Sequence, residues 1–103
     1  MGDTLKALRA LSDPTRLRIM ALLEAGELSV TEIHEITRLG QSRISTHLGL
    51  LTEAGLVALR KEGRRSFYGP GPGMGADIGS LVASAVKGAA ELPERESDLV
   101  NLR

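Results

Sequence analysis

The sequence predicts a mainly helical fold carrying one β-hairpin, in the order α-α-α-α-β-β-α. Three observations predict it. Apolar residues recur at helical spacing through the first half of the chain, interrupted by capping signals. Two of these helices are joined by a short turn at Leu39-Gly40. Two short strand-like runs, Leu56–Arg60 and Arg65–Tyr68, then flank a basic turn containing Gly63. Aromatic residues make up only 2% of the chain. The core must therefore come from Leu, Ile, Val and Ala, which suits packed helices better than stacked sheets.

Each element has a local cause. Leu5, Leu8 and Leu11 recur every third residue and predict a first helix over Asp3–Leu11. Ser12-Asp13-Pro14 restarts the chain, because a polar cap precedes a proline whose missing N–H costs nothing at the first helical position. The second helix carries Leu17, Ile19, Met20, Leu22 and Leu23 and stops at Ala25-Gly26. Ser29 and Glu32 have capping-box spacing and open a third helix over Val30–Arg38, with Ile33 and Ile36 facing inward. A fourth helix runs from Gln41 to Ala54-Gly55. The hairpin after it has its tip at Lys61-Glu62-Gly63-Arg64. Gly69–Gly75 alternates Gly with Pro and Met and reads as a linker. A last long helix is expected over Ala76–Leu92, before Pro93, and the charged stretch Glu94–Arg103 as a tail able to begin another helix. Together these elements define a winged helix-turn-helix over residues 1–68, a linker over 69–75 and a helical extension with its tail over 76–103.

The chain has 103 residues, which suits a single domain. It has no cysteine, so disulfides and thiolate metal sites are excluded. No apolar run approaches a membrane span and no signal region opens the chain, so a cytoplasmic, nucleoid-associated protein with no membrane partner is expected. No nucleophilic Cys, phosphate-binding Gly loop or clustered His and carboxylate set points to an enzyme.

Net charge is zero, but its distribution is uneven. Residues 1–35 hold four basic and six acidic side chains, residues 36–68 six and two, and residues 69–103 three and five. The positive charge thus gathers in the middle third, where a phosphate backbone would meet it. At about 100° per residue, Ile44, Leu48 and Leu51 of the fourth helix fall on one stripe. Ser42, Arg43 and Thr46 lie opposite, Gln41 and Ser45 flank them near the N-terminal end, and His47 is intermediate. Short hydroxyls let a helix approach base edges, and Gln and Arg can contact adenine and guanine bidentately. The hairpin adds Arg60, Lys61, Arg64 and Arg65 for phosphates or a minor groove. Double-stranded DNA is the expected partner, with Gln41, Ser42, Arg43, Ser45, Thr46, His47, Lys61, Arg64 and Arg65 as candidate contacts.

Four stretches together resemble the ArsR family of bacterial winged-helix repressors. They are Leu11–Ile19 (LSDPTRLRI), Gln41–Leu48 (QSRISTHL), Leu51–Val57 (LTEAGLV) and the Arg-rich wing ending in Phe67-Tyr68. The resemblance implies a homodimeric repressor on an inverted-repeat operator, with the first and last helices pairing across a twofold axis. Leu5, Leu8, Ile78, Leu81, Val82 and Ala85 are the expected dimer contacts. It also implies operator contacts from Gln41, Ser42, Ser45 and Thr46. The chain departs from the family where arsenic sensors carry Cys-Val-Cys, because Ser29-Val30-Thr31 stands there and hydroxyls cannot replace soft thiolates. The last helix has Asp77 and Glu91 but no His, so the zinc site of other members is not expected either. No metal, cofactor or inducer is assigned. Gly40–Leu48 further resembles the regulator half of fusions to an S-adenosylmethionine methyltransferase domain, which implies either such a regulator domain on its own or a free-standing relative. The alternative function is therefore a winged helix used as a protein-contact module attached to such an enzyme.

Overall fold

Asp13 divides the first two helices as its position before Pro14 requires. In the computed structural model, which describes residues 3–71 and 74–102, α1 spans Asp3–Leu11 and α2 spans Pro14–Leu23. The Asp13 carboxylate accepts from the Arg16 N–H at 2.9 Å, satisfying one of the unpaired amides of the α2 first turn. Ser29 and Glu32 form the expected reciprocal capping box at the start of α3, Val30–Thr37. Arg38 closes that helix in the left-handed conformation, φ 66°. The turn through Leu39 and Gly40 leads into α4, Gln41–Glu53.

The wing is a two-stranded antiparallel hairpin of β1, Val57–Glu62, and β2, Arg65–Pro70, paired from Val57 opposite Pro70 to Glu62 opposite Arg65. The tip is therefore tighter than the sequence suggested. Lys61 and Glu62 lie within β1, and the turn is Gly63-Arg64, with Gly63 at φ 61°. On its other edge β2 meets Leu28, which exchanges two backbone hydrogen bonds with Tyr68 (3.0 and 2.8 Å). This bridge ties the entry of α3 to the wing.

Two expectations for the C-terminal third are corrected. The linker expected from Gly69 begins later, because Gly69 and Pro70 belong to β2. Proline is tolerated there because Pro70 ends the strand, where its missing N–H costs no ladder bond. Gly71 then donates to the Leu56 carbonyl at 2.9 Å, and a Cβ at Gly71 would overlap the Gly55 carbonyl oxygen. Residues 72–73 of the expected linker lie outside the described residues. The long last helix is also divided. α5 covers Ala76–Lys87, a 3₁₀ turn follows over Gly88–Glu91, and Leu92 is extended ahead of Pro93. The tail forms a further helix, α6, over Arg95–Leu102.

The core is aliphatic, as the composition requires. Ile19, Leu22, Leu23, Ile33, Ile44, Leu48, Leu51 and Leu56 are its largest fully buried side chains, each contributing about 1.5–3 kcal/mol by burial. α5 adds Val82 and Val86 to this same core.

α6 is fastened by a buried ion pair. Both oxygens of Asp98 accept from Arg18 of α2 at 2.8 Å, and the two side chains retain 3% and 10% exposure. The hydrogen bonds from Arg18 to this carboxylate raise the arginine pKa still further above its ordinary value. Arg18 also donates to the Thr37 carbonyl at 3.3 Å, and Asn101 donates to the Ile36 carbonyl at 2.9 Å. The last carbonyls of α3, unpaired within their own helix, are thus capped by side chains from α2 and α6. Removing one partner of such a pair leaves an uncompensated buried charge. Asp98→Ala is therefore expected to lower unfolding stability by about 3–5 kcal/mol, read from the midpoint of a urea titration; a loss within experimental error would show that α6 is not held by this pair.

Candidate nucleic-acid interface

The stripe of Ile44, Leu48 and Leu51 is fully buried, and this fixes the rotation of α4 about its axis. Gln41, Ser42, Arg43, Ser45 and Thr46 are consequently exposed together on its first two turns. The Thr46 hydroxyl donates back to the Ser42 carbonyl at 3.1 Å. Gly40, the residue before α4, offers no side-chain cap, so the first amides of the helix are open to solvent or to a phosphate.

Two of the expected contacts carry additional partners. Arg43 is exposed but donates to the Thr15 hydroxyl at 3.1 Å, which braces it against the start of α2. His47 is half-buried, and its Nδ1 lies 3.3 Å from an Arg16 terminal nitrogen. Because arginine can only donate, Nδ1 is the acceptor and the neutral ring carries its proton on Nε2. Arg16 is itself held by the Ala10 and Arg9 carbonyls at 2.6 and 3.3 Å.

The four wing cations are not equivalent. Arg60 donates to both oxygens of Glu27 (2.9 and 3.1 Å) and to Glu62 (2.9 Å), and lies 5.1 Å from the centre of the Phe67 ring. Its charge is committed within the protein. Arg65 stacks on the same ring at 5.3 Å. Lys61 and Arg64 are exposed and form no ion pair among the described residues, so they are the cations freest to meet a phosphate.

The residues expected at a dimer face divide similarly. Leu5 and Leu8 are 46% and 44% exposed, and Ile78, Leu81 and Ala85 are half-buried. Val82 departs from expectation: it is buried in the core of this chain and leaves little surface for a partner. Among the described residues, no three His, Asp or Glu side chains gather closely enough to hold a metal ion, and no helix is long and apolar enough to cross a membrane. Arg16, Arg18, Glu27 and Asp98 escaped sequence reasoning. Asp98 lies 80 residues from Arg18 and Glu27 33 residues from Arg60, and nothing local marks either pair.

A helix-turn-helix with a polar exposed second helix and a cationic hairpin defines a winged-helix regulator. Residues 13–58 match the model for bacterial regulatory proteins of the arsR family. An HTH-type transcriptional regulator of Methanocaldococcus jannaschii is 46% identical over 61 residues, 58% of this chain and 68% of that protein. A probable mercury resistance operon repressor of Streptomyces lividans is 36% identical over 75 residues, 73% of this chain and 60% of that protein. Among solved structures, HlyU of Vibrio cholerae superposes with a TM-score of 0.73 at 30% identity, covering 85% of this chain and 92% of that one. The homodimeric winged helix-turn-helix DNA-binding domain of a Mycobacterium bovis regulator superposes with a TM-score of 0.72 at 32% identity, covering 90% and 83%. The chain belongs to the ArsR family of transcriptional regulators. Its match to the Streptomyces repressor spans only 60% of that protein's length.

The cap at Asp13 yields a test close to this surface. Burial alone would raise the Asp13 pKa; the hydrogen bond from the Arg16 N–H, with the positive charge of Arg16, outweighs burial and leaves it below its ordinary 3.8. A lowered folded-state pKa contributes stability above the unfolded value that is lost as pH falls through the folded value. Asp13→Ala should cost about 1 kcal/mol near neutrality, and the difference from the parent should close as pH drops below 3.8. Thermal unfolding at several pH values checks this; a pH-independent difference would assign the effect to something other than the carboxylate.

Proposed function

We propose that this protein is a homodimeric, sequence-specific DNA-binding repressor that reads an inverted-repeat operator. The observation that carries the reading is the face of α4. A fully apolar inner stripe turns Gln41, Ser42, Arg43, Ser45 and Thr46 outward together, with no acidic side chain among them. The α4 of each protomer enters a major groove, and twofold symmetry sets the two half-sites about one helical turn apart or a multiple of it. Gln41 and Arg43 are the residues suited to bidentate base contacts, Ser42, Ser45 and Thr46 allow close approach, and His47 offers its Nε2–H. Lys61, Arg64 and Arg65 of the wing neutralise phosphates and carry no sequence information themselves. The names of the Streptomyces and Mycobacterium relatives, a repressor and a homodimeric DNA-binding domain, support this reading. The dimer forms through the exposed Leu5 and Leu8 of α1 and the part of Ile78, Leu81 and Ala85 of α5 that the core leaves uncovered. The likeness of Gly40–Leu48 to methyltransferase fusions is the basis of a finer proposal, regulation alongside a methyltransferase, which requires such a reading frame joined to or beside the gene.

Gel retardation with the promoter upstream of its own gene tests the central reading. No retardation at low salt, with the protein folded and dimeric, would favour a protein-contact module instead. Replacing Lys61 and Arg64 with Ala should weaken binding to all sequences alike and lower the slope of log affinity against log salt by roughly one for each phosphate no longer neutralised. Gln41→Ala should instead change which operator bases are preferred, at a cost of about 1–3 kcal/mol on the best site. If both variants keep the parent's affinity, preference and salt slope, the contact assignment fails. Leu8→Glu places a charge in the proposed α1 face and should yield a folded monomer by sedimentation; an unchanged dimer would move the interface elsewhere.

A further inference from the structure

α1 and the C-terminal half of α4 enclose an open cavity of about 320 Å³ that the DNA reading leaves unused. Lys6, Arg9 and Ala10 line it from α1, Leu50, Glu53 and Ala54 from α4 and its C-cap, and Arg16 from α2. Three cations therefore face one carboxylate, and among the described residues Lys6, Arg9 and Arg16 form no ion pair. Arg16 is the best organised of the three. Its Nε and one terminal nitrogen are held by the Ala10 and Arg9 carbonyls, and its other terminal nitrogen donates to His47. These contacts leave one N–H on each terminal nitrogen without a partner among the described residues. A pre-positioned guanidinium with free N–H groups on both terminal nitrogens matches the two oxygens of a carboxylate. Leu50, Ala10 and Ala54 supply an apolar wall, which a bare inorganic ion would not require.

We propose that this cavity is an effector site for a small monocarboxylic acid with an apolar body, bound by Arg16, Lys6 and Arg9 and sensed through the contact between Arg16 and His47. The position of the cavity separates it from the DNA-reading face. Leu50 follows Ser42 by eight residues, about 12 Å along the helix axis. His47 lies between the two. A carboxylate docked on the free N–H groups of Arg16 partly neutralises the guanidinium that donates to the His47 Nδ1 and so weakens that hydrogen bond. The occupied and empty cavities thus hold His47 with different strength at the edge of the reading face of α4. Binding of the acid stands on the cavity alone; its effect on DNA rests on the proposed repressor function.

The test uses the full chain with sodium benzoate as probe, and benzamide and inorganic phosphate as controls. Amide chemical shifts should change with benzoate at Lys6–Ala10, His47 and Leu50–Ala54, saturably, and little with either control. Lys6→Gln with Arg9→Gln should weaken benzoate binding by roughly fivefold, the product of two losses of a little over twofold each, as expected for exposed charge pairs. Saturating benzoate should also weaken DNA retardation by the parent, while the double variant retains DNA affinity and loses that response. An equal response to benzamide, an equal response to phosphate, or shifts elsewhere in the chain would overturn the assignment. Unchanged benzoate binding in the double variant, with a flatter salt dependence on DNA, would make Lys6 and Arg9 phosphate contacts instead. Benzoate bound in the cavity of a protein that retards no DNA would support the site and defeat the repressor reading. Benzoate bound without effect on a working DNA complex would defeat the effector role.

Discussion

The burial of Ile44, Leu48 and Leu51 is the constraint on which the rest of the structure depends. Three aliphatic side chains on one stripe leave α4 a single favourable rotation against α2 and α3. Any other rotation would expose about 1.5–3 kcal/mol of burial per residue and push hydroxyls into an aliphatic core. The outward direction of Gln41, Ser42, Ser45 and Thr46 is therefore a consequence of core packing. The reading surface needs no interaction of its own to be held in place. It inherits rigidity from residues that never touch a partner.

The surroundings of α4 reinforce that rigidity from three sides. Asp13 caps α2, and Arg43 and His47 each lean on the beginning of that helix through Thr15 and Arg16. The bridge between Leu28 and Tyr68 joins the start of α3 to the wing. At the other end of α3, the pair of Arg18 and Asp98 binds α6, and Arg18 and Asn101 close the open carbonyls of Thr37 and Ile36 respectively. The C-terminal helices are consequently part of the reading unit as well as candidates for a dimer face. A change at that face has a physical route to the turn between α3 and α4, through packed elements and a buried ion pair.

The legibility of the sequence followed the range of the interactions. Helices α1 to α4 could be delimited because each is started and stopped by residues adjacent in the chain: Asp13 before Pro14, Ser29 before Glu32, Gly26 and Gly55 at positive φ. The exposed face of α4 was equally legible, because helical periodicity is local. The end of α5 was misplaced because Pro93 is a strong stop, whereas the break after Lys87 uses only Gly88 and small alanines, which carry no comparable signal. Gly69 and Pro70 looked like linker because their strand character comes from pairing with Ala58 and Val57. Val82 looked like dimer surface because an apolar helix position does not reveal which of two partners it faces. Of the wing cations, the sequence could count the four arginine and lysine side chains but could not show that Glu27 and Glu62 occupy Arg60.

The absence of cysteine makes the most direct measurement of the central claim simple. Single cysteines introduced as Ser42→Cys, Ser45→Cys and Ser97→Cys each report on one exposed position, two on α4 and one on α6. Their rates of reaction with a small thiol reagent are compared with and without saturating duplex DNA at low salt. The account predicts strong protection at positions 42 and 45 and none at 97. Equal reactivity of the two α4 positions in the presence and absence of bound DNA, or protection confined to position 97, would contradict it.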